Sequence, residues 1–204
     1  MENQINSCVH PEARLEAAGF KVAKLESDPS TICMLQPDLK IIYCNQAWDR
    51  FATENGGLEL SRSAIIGTSY IDVVPKPLRP FYEDGLANVM KSGQTWDQDY
   101  ECSSARLYRL LHMRVFRLPE CFLLLVHSLR IERPHGADRP AMPGNETLYA
   151  TEQGIVTMCC HCRRTRRIGS AEGAVWDWVP EYLERAPRLV SHGLCRVCQA
   201  YFYS

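Results

Sequence analysis

The 204-residue sequence predicts an α+β fold, a five-stranded antiparallel sheet with helices on one face, followed by a small C-terminal domain of different character. Local signals run strand, strand, short helices, one long helix and three strands, an order that such a sheet satisfies. A stretch rich in proline and glycine at 133–147 then interrupts all periodicity. Beyond it, five of the ten cysteines crowd into the last 46 residues. That crowding marks the C-terminal domain as metal-stabilised, and it is too uneven for a general disulfide framework.

Residues 1–28 form an N-terminal cap. From Pro11 to Leu25, the apolar residues Ala13, Leu15, Ala17, Ala18, Val22 and Leu25 trace an imperfect helical stripe that Gly19 weakens. Thr31–Leu35 and Lys40–Cys44 flank Gln36-Pro37-Asp38-Leu39, a turn sequence, and are read as a hairpin. Asn45–Thr53 suits a short helix with Ala47, Trp48 and Phe51 on its apolar side. Ile65-Ile66-Gly67 and Tyr70–Val74 make a connector ending at Pro75. Leu78–Lys91 is the strongest helix, with Phe81, Leu86, Val89 and Met90 apolar and Ser92-Gly93 as its stop. Strands follow at Thr95–Cys102, Leu107–Arg117 and Glu120–Arg130, the last two joined by a turn at Arg117-Leu118-Pro119-Glu120. Cys121–Val126 is continuously apolar, as a central strand requires. Residues 29–132 are thus one domain, 133–147 a linker with three Pro and two Gly, and 148–204 the cysteine-rich domain.

With 46% apolar and 23% charged residues and a formal net charge of −1, the composition excludes a disordered chain, a collagen-like fibre and a supercharged nucleic-acid binder. The first 30 residues carry no secretory signal, and no stretch reaches the ~18 apolar residues of a membrane helix. The expected location is cytoplasmic, without membrane contact. In that reducing setting, clustered cysteines are metal ligands or redox groups.

The chemical signal is Cys159-x-x-Cys162, then 32 residues, then Cys195-x-x-Cys198. Each pair makes a tight knuckle that presents two sulfurs to one ion, and four thiolates suit tetrahedral Zn²⁺. A segment of this size buries too little to fold by itself, so the ion supplies folding energy. The same four residues also suit an iron-sulfur cluster, which is the rival cofactor. Cys160, His161 and His192 lie beside the ligand pairs; one of them could replace a cysteine as ligand, but they are read first as neighbours of the site or exposed groups. The run Arg163-Arg164-Thr165-Arg166-Arg167 can offset the charge of a four-thiolate centre. Phosphate binding by the same run is the second alternative, but only 9 Lys/Arg against 7 Asp/Glu from residue 133 onward makes nucleic acid the less favoured partner. Trp176, Trp178, Tyr182, Tyr201, Phe202 and Tyr203 are expected to form the small core around the metal. His112 and His127, in predicted strands, are expected to be hydrogen-bonded or exposed. No GxGxxG, GxxxxGK[ST], GxSxG or HExxH is present, and the chain is not expected to be an enzyme.

Residues 29–132 resemble a PAS domain. The resemblance is carried by the hairpin Ile32–Cys44 (ICMLQPDLKIIYC), Asn45-Gln46-Ala47 leading into a helix, Ile65-Ile66-Gly67, Ile71-Asp72-Val73-Val74-Pro75, the Leu78–Lys91 helix and the three closing strands. It implies a signalling module that holds a small ligand between sheet and helices, or that dimerises through its sheet and N-terminal helices. The C-terminal part is similar to a cysteine-rich tail found after PAS domains in bacterial sensory proteins. Here the shared features are Met158–Cys162, the stretch WDWVPEY from Trp176 to Tyr182, and Ser191-His192-Gly193-Leu194-Cys195 with Cys198. Leu78–Lys91 lacks the histidine of haem-binding relatives, and Asn-Gln-Ala-Trp at Asn45 replaces the cysteine-bearing flavin motif, so the ligand is left unassigned. With no room for a kinase, cyclase or helix-turn-helix output, a signal is expected to pass to a separate partner protein, with a homodimer as the working unit.

Overall fold

The turn after Leu35 sets the first strand pair. In a computed structural model, which describes residues 10–55, 57–104, 106–135, 140–170 and 175–203, strands β1 (Thr31–Leu35) and β2 (Ile41–Cys44) pair antiparallel with Cys33 opposite Cys44. Leu39 takes a left-handed φ of 64°, and the Gln36 amide donates to the Lys40 carbonyl at 2.9 Å. Asn45 caps the following helix α3 (Gln46–Glu54), accepting from the Trp48 amide. Two one-turn helices, α4 (Arg62–Ile65) and α5 (Tyr70–Val73), lead into α6 (Arg79–Ser92), which ends at Gly93 with φ +74°.

Strands β3 (Trp96–Glu101), β4 (Leu107–Arg117) and β5 (Leu123–Pro134) complete a sheet of order β2-β1-β5-β4-β3, the five-stranded arrangement expected. β5 begins three residues later than the sequence suggests. Glu120 (φ 57°) and Cys121 (φ 61°) are both left-handed, so Pro119–Cys121 is a tight turn and cannot enter the ladder. β5 also runs on through Pro134, into the segment read as linker.

β1 is buried on both sides. Cys33, Leu35, Leu123 and Leu125 share the face opposite to Ile32, Met34 and Leu124. The second face is covered by the N-terminal cap, where Leu15 packs with Ile32, Met34, Tyr43 and Leu124. That cap is two helices and not one stripe, α1 (Pro11–Ala17) and α2 (Val22–Ser27), because Gly19 between them takes φ +88°. Met1–Val9, including Cys8, lies outside the described residues.

Gly85 on α6 is where the Trp96 ring seats. A Cβ there would lie 2.5 Å from two ring carbons, and the ring is held by Phe81 and Tyr82 at centroid distances of 5.5 and 5.6 Å. Gly85→Ala is therefore expected to destabilise by about 2 kcal/mol in urea unfolding despite its higher helix propensity. A neutral or stabilising result would mean that the ring is free to move.

The contacts divide the chain into two units, one made of residues 1–74, 81–97 and 113–128, the other of 75–80, 98–112 and 129–204. The second unit holds the C-terminal sheet, of order β8-β7-β6-β9: β6 (Ile155–Cys159), β7 (Thr165–Arg166), β8 (Trp176–Asp177) and β9 (Leu189–Gly193). Short helices α7 (Glu146–Tyr149), α8 (Glu181–Glu184) and α9 (Arg196–Phe202) complete it. Its apolar core is Tyr149, Val156, Met158 and Val179. The described part of 140–147 is tied down as well, since the Met142 amide donates to the Trp178 carbonyl at 2.8 Å.

Candidate metal centre

Parallel pairing of β6 with β9 places Cys159 opposite Gly193, two residues before Cys195. The 32-residue gap in the sequence is the crossover that a parallel pair needs. The first knuckle closes on itself, with the Cys159 amide donating to the Arg164 carbonyl at 2.8 Å and Arg163 left-handed at φ 61°. It is tied to β9 by the Cys160 amide, 2.9 Å from the Gly193 carbonyl. Gly193 fits closely there, since a Cβ would lie 3.1 Å from both Thr157 and the Trp176 ring. In the second knuckle Cys195 is the N-cap of α9, and its sulfur accepts from the Cys198 amide at 3.4 Å.

The four Sγ atoms of Cys159, Cys162, Cys195 and Cys198 lie within 4.8 Å of one another, all in buried residues. Cys162 and Cys195 are 3.7 Å apart, far beyond a disulfide bond and close to the ~3.8 Å edge of a tetrahedron with ~2.3 Å metal–sulfur bonds. The donor set therefore fits a thiophilic ion. Hydrogen bonding from Cys160 and the other sulfurs holds the Cys159 thiol far below its usual range, while contact with Cys159 pushes Cys162 and Cys198 far above theirs. Thiolates gathered this closely repel one another, so ionising all four together requires a cation.

The neighbours of the site divide into buried and exposed. His161 is buried, with 3% exposure, and Cys160 is also buried, whereas His192 is exposed. Of the aromatics, Trp176 and Phe202 pack against the cysteines. Tyr182 belongs to the Tyr149 cluster and Tyr201 is 75% exposed, so the expected single aromatic core around the metal is a correction. Leu194 completes the apolar cover over the cysteines. Arg163 donates to the Ser103 carbonyl at 3.1 Å and Arg167 to Asp177 at 2.9 Å, so two guanidiniums of the run are already engaged.

In the first unit, Asn45 is the polar hub. Fully buried, its Oδ1 accepts from the Ile32 and Trp48 amides at 3.0 and 3.3 Å, and its Nδ2 donates to the Leu25 and Ser30 carbonyls, each at 2.9 Å. One side chain thus joins the cap, β1 and α3. A cleft of about 360 Å³ nearby is walled by Pro11, Glu26, Ile42, Tyr43, Arg62 and Ile66. Its central charges are mutually paired, Arg62 with Asp49 at 2.6 Å and with Glu26 at 3.4 Å.

His127 on β5 is 7% exposed, and burial pushes its pKa from 6.5 down to about 4. His112 instead meets Asp99 at 2.6 Å. For His127 the unfolded chain takes up its proton first as pH falls. Its contribution is complete above about pH 7 and is lost between about 6.5 and 4, amounting to roughly 3 kcal/mol. Urea unfolding is expected to show this slope in the parent chain and a flatter one in His127→Leu. Equal slopes would contradict the assignment.

Residues 25–131, just over half the chain, match a known family described as the PAS fold. The chain belongs to the PAS family. No curated protein matches it. Among solved structures, the PAS domain of Bordetella pertussis BvgS is similar at 14% identity and a TM-score of 0.43, covering 54% of this chain and 84% of that one. The PAS domain of the Cronobacter turicensis quorum-sensing receptor RpfR, in complex with C12:0, is similar at 17% identity and a TM-score of 0.39, covering 52% and 97%. The photoactive yellow protein domain of the sensor histidine kinase Ppr from Rhodospirillum centenum is similar at 13% identity and 0.40, covering 54% and 94%. Among the described residues, no helix of the PAS chain is long and apolar enough to cross a membrane.

Proposed function

We propose that this chain is a bacterial signalling protein of the cytoplasm, in which the PAS domain senses a small ligand or redox state and relays it through protein–protein contacts. It works as a homodimer, is not an enzyme, and carries a structural zinc ion on Cys159, Cys162, Cys195 and Cys198. The observation that carries the zinc reading is the closed set of four buried sulfurs within 4.8 Å. Such a set leaves no open coordination position for chemistry, which favours a structural role. The sensory reading rests on PAS membership. Engagement of Arg163 and Arg167 within the second unit reduces the support for phosphate binding.

Anaerobic purification followed by metal, sulfide and small-molecule analysis tests both halves. Colourless protein with zinc, together with an organic compound released on denaturation, supports the proposal. Iron with acid-labile sulfide and a brown colour would replace zinc by a cluster. Salt-sensitive binding to DNA or RNA that Arg164→Ala and Arg166→Ala weaken would move the function to nucleic acid.

A further inference from the structure

The first knuckle carries more than ligands. His161, between Cys160 and Cys162, turns its ring to the end of β3. Its Nδ1 is 2.7 Å from the Glu101 carbonyl, and its Nε2 meets the Tyr203 hydroxyl. A carbonyl only accepts, so Nδ1 holds the proton, Nε2 is the acceptor, and the Tyr203 hydroxyl donates to it. The ring also stacks on Phe202 at 5.3 Å and 29°. Two residues on, Arg163 donates to the Ser103 carbonyl at 3.1 Å. From the other side, Gln98 donates through Nε2 to the Phe202 carbonyl at 2.8 Å.

Phe202 and Tyr203 end the helix whose cap is Cys195. Both knuckles therefore grip the segment 98–103, one directly through His161 and Arg163, the other through α9. All of these residues lie in the second unit. β3 is continuous back to Trp96, whose ring seats on Gly85 of α6.

We infer that filling the four-cysteine site and seating the β3 end at 98–103 are coupled through His161, Arg163 and the Phe202-Tyr203 terminus. The inference rests on reading the four cysteines as a metal centre. With the ion bound, the two knuckles are held at one separation, and His161 is clamped between Glu101 and Tyr203. Without it the knuckles part and the clamp opens, freeing a strand of the PAS sheet. Coupling of this kind is reciprocal, so loosening the clamp weakens the ion's binding by the same factor. Metal occupancy then sets how firmly the 98–103 segment is held.

Hydrogen exchange on the full chain, zinc-loaded and chelator-stripped, tests this. Stripping is expected to speed exchange in 98–104 by about tenfold and to leave 31–44 unchanged. Tyr203→Phe spares both knuckles, and is expected to speed exchange in 98–104 with zinc still bound and to weaken zinc binding several-fold. His161→Ala is expected to do the same more strongly. Zinc uptake and release with exchange in 98–104 unchanged would overturn the coupling and leave the metal centre standing. A chain that takes up no zinc would overturn the metal centre, and the coupling with it.

Discussion

Cys195→Ser is expected to abolish zinc retention and to unfold the C-terminal sheet while the PAS core stays folded. Cys195 does three things at once: it is one of the four sulfurs, it accepts from the Cys198 amide, and its own amide donates to Cys159 at 3.4 Å. Serine offers a harder, neutral oxygen that thiophilic ions bind poorly. The fully buried apolar cluster beside that sheet is small, built on Tyr149, Val156, Met158 and Val179. Metal binding, worth on the order of 10 kcal/mol, is therefore a large part of what holds this sheet together. Zinc content is expected to fall from one per chain to near zero, and trypsin to cut at the Arg163–Arg167 run that is otherwise slow to cleave. Retention of stoichiometric zinc, or unchanged cleavage, would contradict this account.

Asn45→Ala is expected to cost about 3 kcal/mol in urea unfolding, the largest effect of a single uncharged substitution in the PAS domain. It leaves the Ile32 amide and the Leu25 and Ser30 carbonyls without their side-chain partner in a buried place and removes the cap of α3. Asn45→Asp is expected to be no milder. Its oxygens still accept from the amides, but a second oxygen then faces two carbonyls that need a donor, and a charge is buried. A loss below 1 kcal/mol for Asn45→Ala, or a mild Asn45→Asp, would show that the hub is dispensable.

Where the chain's local rules and its packing agree, the sequence is readable. Pro37-Asp38 marks the first turn, Asn45 stands where a cap belongs, and Ser92-Gly93 ends α6 within one residue of the expected stop. The cysteine pairs were legible because the CxxC spacing is itself the geometry of a knuckle. Three features were not. Glu120 and Cys121 adopt left-handed backbone without being glycine, so nothing local separates their turn from the strand after it. The C-terminal strands are two to five residues long, and the β6–β9 pairing spans more than thirty residues, so no periodicity announces them. His161 looked like a bystander because its partners, Glu101 and Tyr203, are 60 and 42 residues away. Its position inside the knuckle was the one available signal.

The most direct test of the central claim is X-ray absorption at the zinc edge on the full chain purified under reducing conditions. One zinc per chain with four sulfur neighbours at about 2.3 Å is the predicted result. Nitrogen or oxygen neighbours in place of sulfur, or no bound metal while the four thiols remain reduced and the C-terminal sheet stays folded, would contradict it.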